Sequence, residues 1–448
     1  MKFILLLIAA LFIFNSCKTS SPVMPALAAG LESKIDSLAQ PFIDSAKAAG
    51  IVVAAFKGNE KKLLKSYGFA DLEFKTKLPA DASFEIGSVT KQFTAAAILQ
   101  QVDSGKINLD DDITKYIRFN TQGHKVTIRQ LLSHTSGIKG YTELPVFEEI
   151  GMRRYSRDTL LRVVEKEKFD FNPGDALIYN NTGFFMLGLI LEKITGMKYE
   201  DYVQKNLFDR AGMKHSYYCS ESKIVPNQAH GYDTGEKGLQ HAGYLDQTWP
   251  YAAGSLCSTA EDLVKWDQAL HHGKILNEKM YKEFLSPTVL NDGSVTHYAK
   301  GITVTEDHGQ TMIEHGGGIN GFLSENRYYP KEDLSIVVLI NSTGPVAPRM
   351  IADHVADQIL GSHVPDIKPY IGDLSKYSGT YEGRGRGEDM KVIVSKKDSN
   401  LVIHRDEKDT PLAYVRDDTW SANGQQYIFK GDKLHIDQTY GFLILKKK

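Results

Sequence analysis

Cysteine is scarce in this chain. Three residues in 448, Cys17, Cys219 and Cys257, are too few for a four-cysteine zinc cage. Cys219 and Cys257 either pair or stay free, and an exported chain permits the disulfide. There is little excess of either charge: 53 Lys and Arg stand against 55 Asp and Glu, for a net charge of −2. With no basic stripe, nucleic acid is excluded as a natural partner. No internal repeat stands out. The apolar run from Phe3 to Phe14 is too short to cross a bilayer, which takes about 20 residues.

What that run does fit is a secretory core behind Lys2. It ends in "FNSC", which resembles a loose bacterial lipobox, with Phe14 and Asn15 departing from the commonest form. Residues 1–17 are therefore expected to be a signal peptide ending at a lipidated Cys17, and an ordinary cleaved signal is the alternative. Residues 18–30 read as a tether. The expectation is an exported, membrane-anchored lipoprotein of the bacterial cell envelope, facing the periplasm or the exterior.

The length exceeds what one core usually holds, so two domains are expected. "IVVAAFKGN" and "KLLKSYGFAD" form a hairpin pattern. Residues 127 to 285 are helix-rich. Strand patterns return at "KGITVTED", "TMIEHGG", "SENRYYP" and "LSIVVLINST", followed by a helix over 347–360. Strands at both ends with helices between predict an α+β fold: an antiparallel sheet flanked by helices, its first and last strands meeting beside a helical lobe. This domain is placed at 31–361 and a linker at 362–370. Short strands separated by turns over 371–448 predict a small all-β, barrel-like domain. No catalytic constellation is legible in it, so it is expected to be dispensable for the chemistry. "NLDDDITKYI" lacks the spacing of a calcium loop and reads as a capped turn.

Three stretches could carry chemistry. "GSVTKQ" opens an apolar helix with Ser88, and Lys91 follows one turn later on the same face. Two readings compete: a capping serine with a snorkelling lysine, or a nucleophile at a helix dipole with its activating amine. The other S-x-x-K pairs, Ser136/Lys139 and Ser220/Lys223, lie in turns and read as chance. "LIYNNTGF" holds Tyr179 and Asn181. A phenol is a useful base only if its pKa falls, and a cation such as Lys91 could lower it; the alternative is a core tyrosine beside a helix cap. "IEHGGGINGF" joins a strand to glycines at His315, Gly316 and Gly317, where backbone could approach a ligand; a glycine-rich turn is the plain alternative.

In this order, Ser88-x-x-Lys91, Tyr179-x-Asn181 and His315-Gly316-Gly317 resemble the three motifs of the serine β-lactamase-like superfamily, which includes class C β-lactamases, penicillin-binding DD-peptidases, D-aminopeptidases and esterases. The likeness covers roughly residues 30 to 360. It implies Ser88 as the acylated nucleophile, with Lys91 and Tyr179 sharing general-base work and Tyr179 protonating the leaving group. It implies Asn181, His315, Gly316 and Gly317 at the substrate, and an oxyanion hole from the N–H groups of Ser88 and Gly318. No metal or organic cofactor is implied. His134 in "LLSHTSG" is read as structural.

His315-Gly316 departs from the K-T-G typical of β-lactamases. A neutral histidine grips a carboxylate less well than lysine. The expected function is therefore a serine peptidase or amidase on small or D-amino-acid-containing peptides. A carboxylesterase, then a β-lactamase, are the alternatives, and a non-catalytic binding lipoprotein comes last. Arg327 is a second candidate for reading a carboxylate.

Overall fold

The computed structural model describes residues 26–220, 222–362, 369–405 and 408–448. Cys17, the signal peptide, most of the tether and most of the linker lie outside them.

A seven-stranded antiparallel sheet forms the frame. Its order is Thr303–Asp307, Gln310–Ile319, Phe322–Tyr329, Leu334–Ile340, Gly50–Lys57, Glu60–Asp71 and Thr76–Lys77. The first long strand and the last do meet: Ile51 pairs with Ile340 and Lys57 with Leu334. The apolar runs in these two strands are continuous because both faces are covered. Alternate side chains point to opposite faces of a strand. Ile51, Val53, Ile336 and Val338 pack on Ile35, Ile351 and Val355 of the flanking helices Ala26–Asp44 and Pro348–Leu360. Val52, Ala54, Val337 and Leu339 face the helical lobe and its Phe93 and Trp266.

Thr90–Asp103 runs through the middle of that lobe and is buried around almost its whole circumference. This explains a helix without an apolar stripe: it has no solvent face to leave polar. Gly105, at φ +69, adopts the left-handed conformation just beyond its end. "NLDDDITKYI" is a capped turn, with Asp111 accepting from Asn108 N–H and Asp112 from Thr114 N–H. Cys219 and Cys257 are joined in a disulfide. It lies beside the short ladder of Tyr217–Tyr218 and Leu256–Ser258.

The C-terminal region is a closed eight-stranded barrel, from Gly379–Arg384 to Gly441–Lys447, with Tyr381 paired to Lys447 across the seam. Tyr381, Val392, Leu401, Trp420 and Leu445 fill it. The barrel is not a separate bead. Its last strand also pairs with Leu177–Ile178 of the first domain, Gly441 opposite Ile178 and Phe442 opposite Leu177. Tyr179 is the next residue, so the barrel holds the strand that delivers it.

Candidate active site

Ser88 lies in a single 3-10 turn, Gly87–Val89, that leads into the buried helix. Gly87 has φ +48, and a Cβ there would meet the backbone of Gly318 at 2.9 Å. Glycine therefore lets this turn lie against the strand Gln310–Ile319. Ser88 is not a cap: neither the turn nor the helix has a side-chain cap hydrogen bond. The capping reading fails, and the hydroxyl is left for other partners.

Lys91 does not snorkel. It is fully buried, with Nζ 3.1 Å from Ser88 Oγ, 2.8 Å from Asn181 Oδ1 and 2.8 Å from the Ala253 carbonyl. Burial, reinforced by the positive charge of Arg386, pushes its pKa well below the ordinary lysine value. A neutral amine has two N–H donors and one lone pair. Asn181 Oδ1 and the Ala253 carbonyl can only accept, so they take the two N–H groups. The lone pair is then directed at the Ser88 hydroxyl. That is the geometry of a base poised to take its proton.

Tyr179 departs from expectation. Burial raises its pKa, and the partial favourable contact with Ser88 and the charge of Arg386 do not reverse this. Its hydroxyl has no hydrogen bond of normal geometry. Lys91 Nζ sits 4.8 Å from the ring centroid, yet burial dominates and keeps Tyr179 a neutral phenol.

His315 also departs. Instead of facing the cleft with a free nitrogen, it is fully buried with both ring nitrogens engaged. The chain of contacts fixes its tautomer. Asn180 N–H donates to His134 Nδ1 at 3.1 Å, so the neutral His134 carries its proton on Nε2 and donates to the Tyr298 hydroxyl at 2.9 Å. Tyr298 then donates to His315 Nε2 at 3.1 Å, and His315 Nδ1–H donates to the Gly316 carbonyl at 2.6 Å. Burial drives His315 down to about 3 and His134 well below its ordinary value. His134 is thus structural, as its sequence context suggested. Gly316 likewise turns away from substrate, its N–H donating to the Tyr440 hydroxyl at 2.5 Å. At Gly317 a Cβ would meet the Ile86 carbonyl at 2.1 Å.

Ser88, Asn181 and Gly318 share a cavity of about 160 Å³, whose remaining wall includes Tyr141, Phe147 and Leu245. Asn181 Nδ2 reaches Thr142 Oγ1 at only 3.3 Å, which leaves its amide able to serve another acceptor. Arg327 is no reader of carboxylates here. It is fully buried and held by Glu325 at 2.8 Å and Asp353 at 2.6 Å. Ser136 and Lys139 go separate ways: Ser136 accepts from Ile138 N–H and Lys139 pairs with Asp170.

Two residues of the barrel were missed from sequence. Tyr440 stacks on His315, with centroids 4.9 Å apart and an 18° interplanar angle. Arg386 projects from the hairpin joining Gly379–Arg384 to Asp389–Lys397. It lies 5.3 Å from the Tyr179 ring centroid and donates to Glu143 at 2.7 Å. The barrel thus leans over the cleft, bringing Arg386 and Tyr440 beside Tyr179 and His315. The available signal was the alternation "RGRGED", two glycines freeing a turn that carries a cation. Nothing local marks Tyr440.

The family model for Beta-lactamase matches residues 35–360, and the chain belongs to the Beta-lactamase family. It has the β-lactamase fold. Protein flp of Staphylococcus aureus (strain MRSA252) is 25% identical over 339 residues, covering 73% of this chain and 66% of that protein. A D-aminopeptidase of Brucella anthropi is 27% identical over 321 residues, covering 70% of this chain and 60% of that enzyme. The chain thus spans less than two thirds of the length of these curated relatives. Among solved structures, an octameric penicillin-binding protein homologue from Pyrococcus abyssi superimposes with a TM-score of 0.66 at 24% identity, covering 92% of this chain and 99% of that one.

Proposed function

We propose that the protein is a serine peptidase or amidase that forms an acyl-enzyme on Ser88 and acts on small or D-amino-acid-containing peptides. The observation that carries this reading is the buried Lys91 amine, its Nζ 3.1 Å from Ser88 Oγ and held by Asn181 Oδ1 and the Ala253 carbonyl. Lys91 takes the Ser88 proton while Oγ bonds to the substrate carbonyl carbon. The carbonyl oxygen, now an anion, is received by the N–H groups of Ser88 and Gly318, an arrangement whose single donors are typically worth about 10²–10³ in rate. The C–N bond then breaks, Tyr179 gives its proton to the leaving amine, and the proton on Lys91 restores the phenol. Water attacks the acyl-enzyme and releases the acid. Similarity to a D-aminopeptidase supports the choice of substrate class. An esterase is the second reading, favoured by the apolar wall of Tyr141, Phe147 and Leu245 beside Ser88.

The test is labelling with a fluorescent fluorophosphonate, followed by turnover of D-amino-acid amides, D-Ala-D-Ala peptides, p-nitrophenyl esters and nitrocefin. Ser88→Ala should abolish labelling and leave the fold unchanged. Undiminished labelling of that variant overturns the assignment. The proposal also places the enzyme outside the cytoplasm, held to a membrane by lipid on Cys17. The disulfide of Cys219 and Cys257 supports an oxidising compartment. Metabolic labelling with a radioactive fatty acid should fail in Cys17→Ser.

A further inference from the structure

Beyond Tyr179 a second, larger cavity of about 690 Å³ opens between the two domains. Tyr179, Tyr440, Arg349, Arg386 and Arg405 contribute to its lining. Arg386 stands between the two spaces. It lines this cavity, and its Nη2 reaches Thr142 Oγ1, at 3.4 Å, on the wall of the Ser88 cavity. Its Nε is taken by Glu143, and Nη1 has no hydrogen-bond partner among the described residues. The side chain is about half exposed, at 48%. The other cations are differently placed. Arg327 is buried and saturated with carboxylates. Arg349 is drawn to Thr439 at 2.9 Å. Of the carboxylates of the cavity wall, Asp307 receives Tyr329 at 2.6 Å, Asp353 receives Arg327, and Glu388 lies 3.8 Å from Arg405.

We infer that Arg386, supplied by the C-terminal barrel, is a specificity-determining residue that binds a carboxylate on the leaving-group side of the substrate, which extends past Tyr179 into the inter-domain cavity. The substrate class is then a small peptide with a free C-terminal carboxylate. This inference rests on the acyl-enzyme reading above. A planar guanidinium with an unfilled N–H group matches a carboxylate. The acyl side of the substrate occupies the smaller cavity by Tyr141 and Phe147, so the scissile carbonyl lies at Ser88 between them. No charge at position 315 is required.

A pair of activated esters that differ only in leaving-group charge tests this without knowledge of the natural substrate. The pair is 3-acetoxybenzoate and its methyl ester, assayed on the full chain. The wild type should favour the anion in kcat/KM by about tenfold, which is ~1.4 kcal/mol. That ratio should fall toward one in Arg386→Met and be partly retained in Arg386→Lys. Thermal melts of both variants check that they fold. Equal use of both esters by the wild type, or an unchanged preference in a folded Arg386→Met, overturns the role of Arg386. If neither ester is hydrolysed and fluorophosphonate does not label Ser88, the acyl-enzyme reading itself fails, and this inference with it.

Discussion

Tyr298→Phe should destabilise the protein well beyond what the loss of one oxygen suggests. The hydroxyl accepts from His134 and donates to His315, at 2.9 and 3.1 Å, and all three residues are at most 1% exposed. Phenylalanine keeps the ring and its packing but strands two polar atoms. The N–H on His134 Nε2 loses its acceptor, and the lone pair of His315 Nε2 loses its donor. Each buried, unpaired group costs about 1–3 kcal/mol, so the total loss is roughly 2–6 kcal/mol. Neither histidine can escape by changing tautomer. His134 Nδ1 must stay an acceptor for Asn180 N–H, and His315 Nδ1 must stay a donor to the Gly316 carbonyl. Neither can escape by protonation near neutral pH, since burial holds His315 at about 3. Urea unfolding followed through Trp249 and Trp266, both in the core of the hydrolase domain, measures the loss. Acylation by fluorophosphonate should slow as well, because the His134 ring packs on Tyr179 at 4.3 Å. A loss below about 1 kcal/mol would refute the fixed direction of the chain.

Truncation after residue 362 should sharply reduce acylation, since it removes Arg386, Tyr440 and the strand that pairs with Leu177–Ile178; a folded fragment labelled at the wild-type rate contradicts this. The ascending limb of the pH–rate profile belongs to Lys91, the group brought below its ordinary value, and it should move to higher pH in Arg386→Met, because a positive neighbour is removed. His315 has a folded pKa of about 3, below its unfolded value. The stability it contributes is full above about 6.5 and declines toward pH 3 by ~1.4 kcal/mol per unit, so unfolding of His315→Asn should show a shallower acid limb over that window. Replacing His315 by lysine and Gly316 by threonine should destabilise the protein rather than create an anion site, because the first buries an amine and a Cβ at 316 would lie 2.9 Å from the Tyr440 hydroxyl; a melt and nitrocefin turnover decide. Cys219→Ser with Cys257→Ser opens a link spanning 38 residues and should cost about 3–4 kcal/mol on a chain-entropy basis, read as a lowered urea midpoint.

The sheet and the Ser88 helix were legible because they are written in local patterns. Val52 through Ala55 and Ile336 through Ile340 are apolar without break, and only strands or helices covered on both sides tolerate that. Tyr179 and Asn181 were legible through their fixed spacing before an apolar helix, although the residue that caps that helix is Asn180, which accepts from Gly183 N–H. What failed was environment. The sequence shows a lysine that could lower the pKa of a phenol. It does not show that burial pushes that lysine well below its ordinary value and, in the same interior, raises the phenol. Contacts across long separations failed for the same reason. Tyr440 meets Gly316 across 124 residues and Arg386 meets Glu143 across 243, and no periodicity links such pairs.

The charge state around Ser88 follows from one cause. Lys91, His134 and His315 are all depressed by burial, and Tyr179, Tyr298 and Tyr440 are all raised by it. Every one of these groups is therefore held neutral in the resting enzyme. A neutral interior suits proton transfer, because Lys91 starts as a free base and Tyr179 as a loaded acid. It does not suit an anionic substrate, which must leave water for a site with no counter-charge. A histidine in the third motif cannot supply that charge once it is buried, and a lysine placed there would lose its proton as Lys91 does. A guanidinium resists deprotonation far more strongly than an ammonium, and Arg386 is also half exposed. Bringing it from a hairpin on a separate barrel keeps the cation outside the dry interior yet within reach of Tyr179. The division of labour between the domains is thus electrostatic: the hydrolase domain supplies neutral proton carriers, and the barrel supplies the charge that they cannot hold.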